Sequence, residues 1–197
     1  MKKFFSAVAV SAALTTPVYA QDLDRGYSSY EAGDYATALQ EWRPLAEQGR
    51  ASAQFNLGVM YYGGKGVPQD YKEAAKWYRK SAEQGDAGAQ LNLGLMYHNG
   101  KGVPQDYKEA ASWYIKSAEQ GHATAQNNLG VIFGKGQGVL QDNLVAHMWY
   151  NISSANGSEL GGENRDKLAK EMPPQDISKA QAMARACMGS NYQSCGD

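Results

Sequence analysis

The chain has 197 residues, with 19 Lys and Arg against 20 Asp and Glu and a formal net charge of −1. A balance so close to neutral excludes binding of nucleic acid or anionic lipid by bulk electrostatics. Two cysteines and three histidines are too few for a disulfide framework or for a metal site repeated along the chain.

MKKFFSAVAVSAALTTPVYA opens the sequence. Lys2 and Lys3 form a positive head, Phe4 to Leu14 an apolar run broken only by small serines, and Val18-Tyr19-Ala20 a small-residue cleavage site. This is the layout of a secretory signal peptide, its apolar run too short for a permanent membrane span. We expect residues 1–20 to be removed by cleavage after Ala20; the alternative is an uncleaved anchor. Losing Lys2 and Lys3 leaves 17 basic against 20 acidic side chains, a net charge of −3. No later stretch is long and apolar enough for membrane insertion, and no cysteine near the cut offers a lipid attachment point. These features predict an exported protein, periplasmic or secreted.

Next comes YEAGDYATALQEWRPLAEQG at 30–49, a short unit within 21–51 that reads as one helix pair. Beyond it the chain repeats. GKGVPQDYKEAA stands at 64–75 and again at 100–111, and residues 52–87 and 88–123 match at 28 of 36 positions without a gap. A third copy at 124–159 keeps the frame through Leu129-Gly130, Trp149 and Gly157. Self-similarity at a fixed period marks a unit that stacks on copies of itself, whereas an active site needs only one set of groups.

Each unit reads as two helices. The first, about Ala53 to Tyr62, carries Leu57, Met60 and Tyr61 at helical spacing and stops at Gly63, Gly64 and Gly66. Pro68 sets an extended turn. Asp70 then caps the second helix, and Glu73, three residues on, is placed to complete a capping box, a device repeated by Asp106 and Glu109. Tyr71, Ala74, Ala75, Tyr78 and Ala82 form that helix's apolar stripe, with Trp77 at its flank. Gly58 and the alanines allow close helix approach.

The pattern AQFNLGVMYYGGKGVPQDYKEAAKWYRKSAEQGDA resembles the Sel-one-like repeat, a relative of the tetratricopeptide repeat. The resemblance covers 52–159 and reaches less closely into 23–51. It implies an all-α fold, an α-solenoid of antiparallel helix pairs wound as a right-handed superhelix, with a concave groove that usually serves as a scaffold for protein partners. The third unit departs from the pattern, with Leu140 in place of proline and NLVAHMWYNISSANG as its second helix. The tail at 160–197 resembles the C-terminal helix pair that closes bacterial members. Met172-Pro173-Pro174 marks its bend, and Ile177, Ala180, Ala184 and Cys187 supply a covering face. Cys187 and Cys195, close together in an exported protein, suit a disulfide closing the tail, against a free or intermolecular thiol.

Catalytic signatures are absent. No His-Glu-x-x-His, Gly-x-Ser-x-Gly or Ser-x-x-Lys occurs. Gly63-Gly64-Lys65 falls between helices, where a phosphate loop would need a preceding strand. His98, His122 and His147 occupy three different repeat positions and read as isolated surface or groove residues. No cofactor or metal is expected. Cysteine-rich members of the family have been ascribed penicillin binding or hydrolysis, but they carry a disulfide inside each repeat and this chain carries none there.

Positions kept in every copy are explained by stacking, and those that vary are freer to carry specificity. On the first helix the varying stripe is Phe55-Val59-Tyr62, then Leu91-Leu95-His98, then Asn127-Val131-Gly134, spaced to share one face. In this superfamily the first helices line the concave surface, so the resemblance places a protein or peptide partner there. Phe55, Tyr62, Leu91 and His98 would be its anchors. Asn56, Asn92 and Asn128 recur at one position; they could bond a bound peptide's backbone or satisfy backbone groups at the repeat junction. The reading is a monomeric, non-catalytic adaptor at the cell envelope. The alternatives are a β-lactam- or peptidoglycan-interacting envelope protein or enzyme, and a secreted effector binding host proteins.

Overall fold

A computed structural model describes residues 16–192 and Cys195, with side chains from Leu23 onward. Most of the expected signal peptide, including the run from Phe4 to Leu14, lies outside the described residues. Those described form ten helices and no strand. Helices α1 (Thr16–Glu31) and α2 (Tyr35–Glu47) precede three matched pairs: α3 (Ala51–Gly63) with α4 (Tyr71–Glu83), α5 (Ala87–Asn99) with α6 (Tyr107–Ala118), and α7 (Ala123–Lys135) with α8 (Asn143–Ala155). Helices α9 (Glu159–Ala169) and α10 (Pro174–Gly189) close the array against α8. From α1 to α8 each helix packs on the next, and α9 and α10 both pack on α8, giving an α-solenoid. No helix among the described residues is long and apolar enough to cross a membrane.

The expected cut after Ala20 falls inside α1. The part beyond it is tied down by the Trp42 indole, whose Nε1 donates to the Leu23 carbonyl at 3.3 Å. Burial runs along the array in successive blocks rather than in one central core. Trp42, Leu45, Leu57 and Met60 form the first, Tyr78, Leu93, Met96 and Trp113 the second. Leu129, Met148 and Ile152 form the last with Ala180, Ala184 and Cys187 of α10. The covering face expected of the tail is thus in place, with Ile177 half-buried at its edge.

The duplicated dodecamer works at two levels. Within a unit, Gly100 takes φ +65° and ends α5 with a left-handed cap, its N–H donating to Met96 O, a conformation that favours glycine. Between units, Gly102 lies directly against the Tyr71 carbonyl of the preceding repeat, a space no side chain could share. Asp106 Oδ1 then accepts from the N–H groups of Lys108 and Glu109 at 2.9 and 3.1 Å, capping α6. Asp70 does the same for α4.

One expected device is not formed. In a capping box Glu73 and Glu109 would accept from the N–H of Asp70 and Asp106. Those N–H groups donate instead to Tyr61 O and Tyr97 O, both at 3.0 Å. The Asp70 and Asp106 donors are spent on closing the loop back onto the first helix. Glu73 is left to pair with Lys76 one turn on.

Candidate functional site

Polar side chains that the sequence reading passed over hold the repeats in register. Gln54, Gln90 and Gln126 are buried, and each Nε2 donates back to the carbonyl ending the previous unit: Ala46, Ala82 and Ala118, at 3.0 to 3.1 Å. Ser81, Ser117 and Ser153 donate to Ala51, Ala87 and Ala123 at 2.9, 2.8 and 2.7 Å. Gln84, Gln120 and Asn156 complete each set by donating to the buried glutamine. A buried amide must be bonded or it destabilises the fold, so this set recurs in every copy. Its signal was present in the sequence as glutamines and serines identical in all three copies, with only the third position varying, Gln84, Gln120 and Asn156.

Against that constant frame the varying stripe stands apart. Phe55, Val59, Tyr62, Leu95, His98 and Val131 are half-buried, their outer edges open to solvent. Leu91 and Asn127 are only 9% and 4% exposed, so they form the wall rather than its surface. Asn127 is also engaged, its Oδ1 accepting from Asn164 Nδ2 of α9 at 2.9 Å. Tyr62 meets Tyr71 edge-on with centroids 5.1 Å apart, and Lys101 of the next unit donates to its hydroxyl at 3.3 Å. His98 meets Tyr107 in the same way, also at 5.1 Å. Burial and the charge of Lys135 hold the His98 pKa below its usual value, so its ring is neutral at physiological pH.

The repeat junctions are bonded by the recurring glutamines and serines. Asn56 is 4% exposed and its Nδ2 has no hydrogen-bond partner among the described residues, whereas the Asn128 side chain lies against the Tyr114 hydroxyl. His147 also differs from expectation. It is neither on the surface nor in the groove but 1% exposed within α8, where its Nδ1 lies 2.9 Å from Asn151 Nδ2. The departure of α8 from the repeat pattern allows this, because α9 and α10 cover a helix that other repeats cover with a copy of themselves. His122 ends up at the N-cap of α7. No group of three His, Cys, Asp or Glu among the described residues could hold a metal ion. Cys187 and Cys195 stand at disulfide distance, with Cα atoms 4.7 Å apart.

Among the described residues, two clefts bear on the site. One, of about 470 Å³, lies between α4 and the α5–α6 loop of the next repeat, with Trp77 and Val103 in its walls and Lys72, Lys76, Arg79 and Lys80 around them. Three of these cations are already engaged: Lys76 with Glu73, Arg79 with the Tyr97 hydroxyl, and Lys80 over the Trp77 ring at 4.1 Å. The other, of about 430 Å³, lies at the end of the varying stripe, between Val131 and Gly134 of α7 and Leu168 of α9.

The Sel1 repeat pattern matches residues 51–86, 87–122 and 123–158, each frame opening one residue before the one read from the sequence. A Sel1 repeat protein from Oxalobacter formigenes is similar in structure, with TM-score 0.72 and 28% identity over 86% of this chain and 74% of that one. So is c5321, described as a protective antigen present in uropathogenic Escherichia coli strains and displaying an SLR fold. It has TM-score 0.63 and 28% identity over 90% of this chain and 47% of that one. Comparison with curated protein sequences gives no match.

Proposed function

The chain belongs to the Sel1 repeat family, and from that premise we propose that it is a non-catalytic adaptor whose α3, α5 and α7 face holds a protein or peptide partner. One observation carries this reading. The first two repeats differ at only eight of 36 positions, and four of those differences (Phe55/Leu91, Val59/Leu95, Tyr62/His98 and Gly63/Asn99) lie on that face or at its end. Stacking demands sameness, so change concentrated on one solvent-reaching face is where recognition of a particular partner would be written. The leader-like start supports work in the periplasm or outside the cell, and protein sequencing of the exported form should then begin at Gln21.

A photo-crosslinking residue at Leu95, compared with one at exposed Ile115 of α6, tests the assignment in intact cells. A discrete adduct from Leu95 alone is expected. Equal yields from both positions, or none from either, would remove the partner from this face.

A further inference from the structure

We propose, on the footing that the α3, α5 and α7 face meets the partner, that the third repeat carries a socket for an aromatic side chain of that partner, with two lysines placed to take a carboxylate beside it. The repeats themselves show what fits. In the first two, a ring at one register position packs edge-on against the tyrosine opening the next helix: Tyr62 on Tyr71 and His98 on Tyr107, each with centroids 5.1 Å apart. In the third repeat both rings are gone, replaced by Gly134 and Asn143. The cleft of about 430 Å³ opens beside Gly134, walled by Val131, Tyr150 and Leu168, with Asn143 outside its lining.

Nothing in the fold requires a glycine at 134. It lies within α7 without a left-handed φ, and outside its own helix a Cβ would meet only Ala146 Cβ at 3.5 Å and the Tyr150 hydroxyl at 4.0 Å. Both are ordinary contacts. Gly130, one turn earlier, is the opposite case: a Cβ there would drive into the Tyr150 ring. Gly130 is needed for close packing, whereas Gly134 leaves a space that a side chain could have filled.

Charge changes at the same spot. The next register position is Gly63, then Asn99, then Lys135, so a cation arrives only where the ring is lost. Lys167 of α9 adds a second, and Glu171 is the one anion in the lining. The excess of cations favours a carboxylate next to the inserted ring.

The test uses the full chain and three small probes, followed through the amide signals of Gly134 and Lys135 by NMR titration. N-acetyl-L-tyrosine carries ring and carboxylate and should shift both signals saturably in the millimolar range. N-acetyl-L-tyrosine amide should bind about two- to fivefold more weakly, the range of an exposed ion pair, and N-acetyl-L-alanine should leave both signals unmoved. Gly134→Tyr, which returns the ring of the first repeat, should abolish binding. The surface pair Lys135→Gln and Lys167→Gln should keep ring binding and lose the preference for carboxylate, without touching the core. No saturable shift, equal response to the alanine probe, or undiminished binding in Gly134→Tyr would overturn the socket. Crosslinking from Leu95 with unchanged yield in Gly134→Tyr would also overturn it, while leaving the partner-facing assignment intact.

Discussion

Gly94 of α5 packs on the ring of Tyr114 in α6 so closely that a Cβ built on it would stand 2.7 Å from both Cδ1 and Cε1. The contact recurs as Gly58 on Tyr78 and Gly130 on Tyr150, and it sets how near the two helices of a repeat approach. Gly94→Leu must therefore force them apart, at about 1–3 kcal/mol for overpacking, and neighbouring interfaces share the loss. Gly134→Ala is the contrasting control, expected to gain about 0.5–1 kcal/mol from helix propensity alone. Urea unfolding of the two variants should move in opposite directions; a Gly94→Leu protein that unfolds like the wild type would end this account of stacking.

The helix caps make a sharper distinction. Asp106→Ala removes the acceptor of two orphan N–H groups and should lose about 1 kcal/mol. Glu109→Ala should stay within about 0.5 kcal/mol of wild type, because the Asp106 N–H already donates to Tyr97 O. Equal losses, read from thermal unfolding, would reinstate the capping box.

Leu140 is 91% exposed at a frame position where the other two repeats have proline. Among the described residues no carbonyl accepts from its N–H outside the regular helices, and Val139 matches the Val67 and Val103 that precede proline elsewhere. Leu140→Pro should stabilise the protein by about 0.4–1 kcal/mol through the unfolded chain. A lowered unfolding midpoint would show that the third loop differs in backbone from its copies.

Stability should fall in mild acid. Burial above all, then the charge of Arg165, holds the His147 pKa below the usual 6.5, with Asp166 opposing; His98 is lowered by burial and Lys135. The unfolded chain then binds protons that the native state refuses, so stability is fully present above the unfolded pKa and declines as pH drops through it. Urea midpoints measured between about pH 8 and 5 should decline, and His147→Gln should flatten the curve in part, leaving the share of His98. An unchanged slope in that variant would remove His147 from the explanation.

The native protein should present no thiol to a titrating reagent, since Cys187 and Cys195 stand at bonding distance and Cys187 is fully buried. Reduction of so short a loop should cost about 2–3 kcal/mol, felt first where α10 covers α8. Free thiol in the untreated protein would contradict the pairing.

Much of the fold was legible because its causes are local or periodic. Apolar spacing, the glycine stops and the capping aspartates act within a few residues, and a near-perfect 36-residue repeat supplied its own alignment. The varying stripe was legible for the same reason: identical copies make every difference visible. Glu73 and Glu109 misled, because the N–H groups they were expected to satisfy are claimed by Tyr61 and Tyr97, nine residues back along the chain. His147 misled because the charges beside it, Arg165 and Asp166, come from α9, which no repeat predicts.

The sequence by itself determined the period, the two helices of each unit and the places where they begin and end. Only the tertiary structure decided which polar groups are buried, since Ser117 finds its acceptor at Ala87 and Gln120 at Gln90, each 30 residues away. It alone revealed that Gly134 leaves a cleft while Gly130 fills a contact. A glycine in a sequence carries no record of what its missing side chain would have touched; that depends on neighbours brought in by another helix.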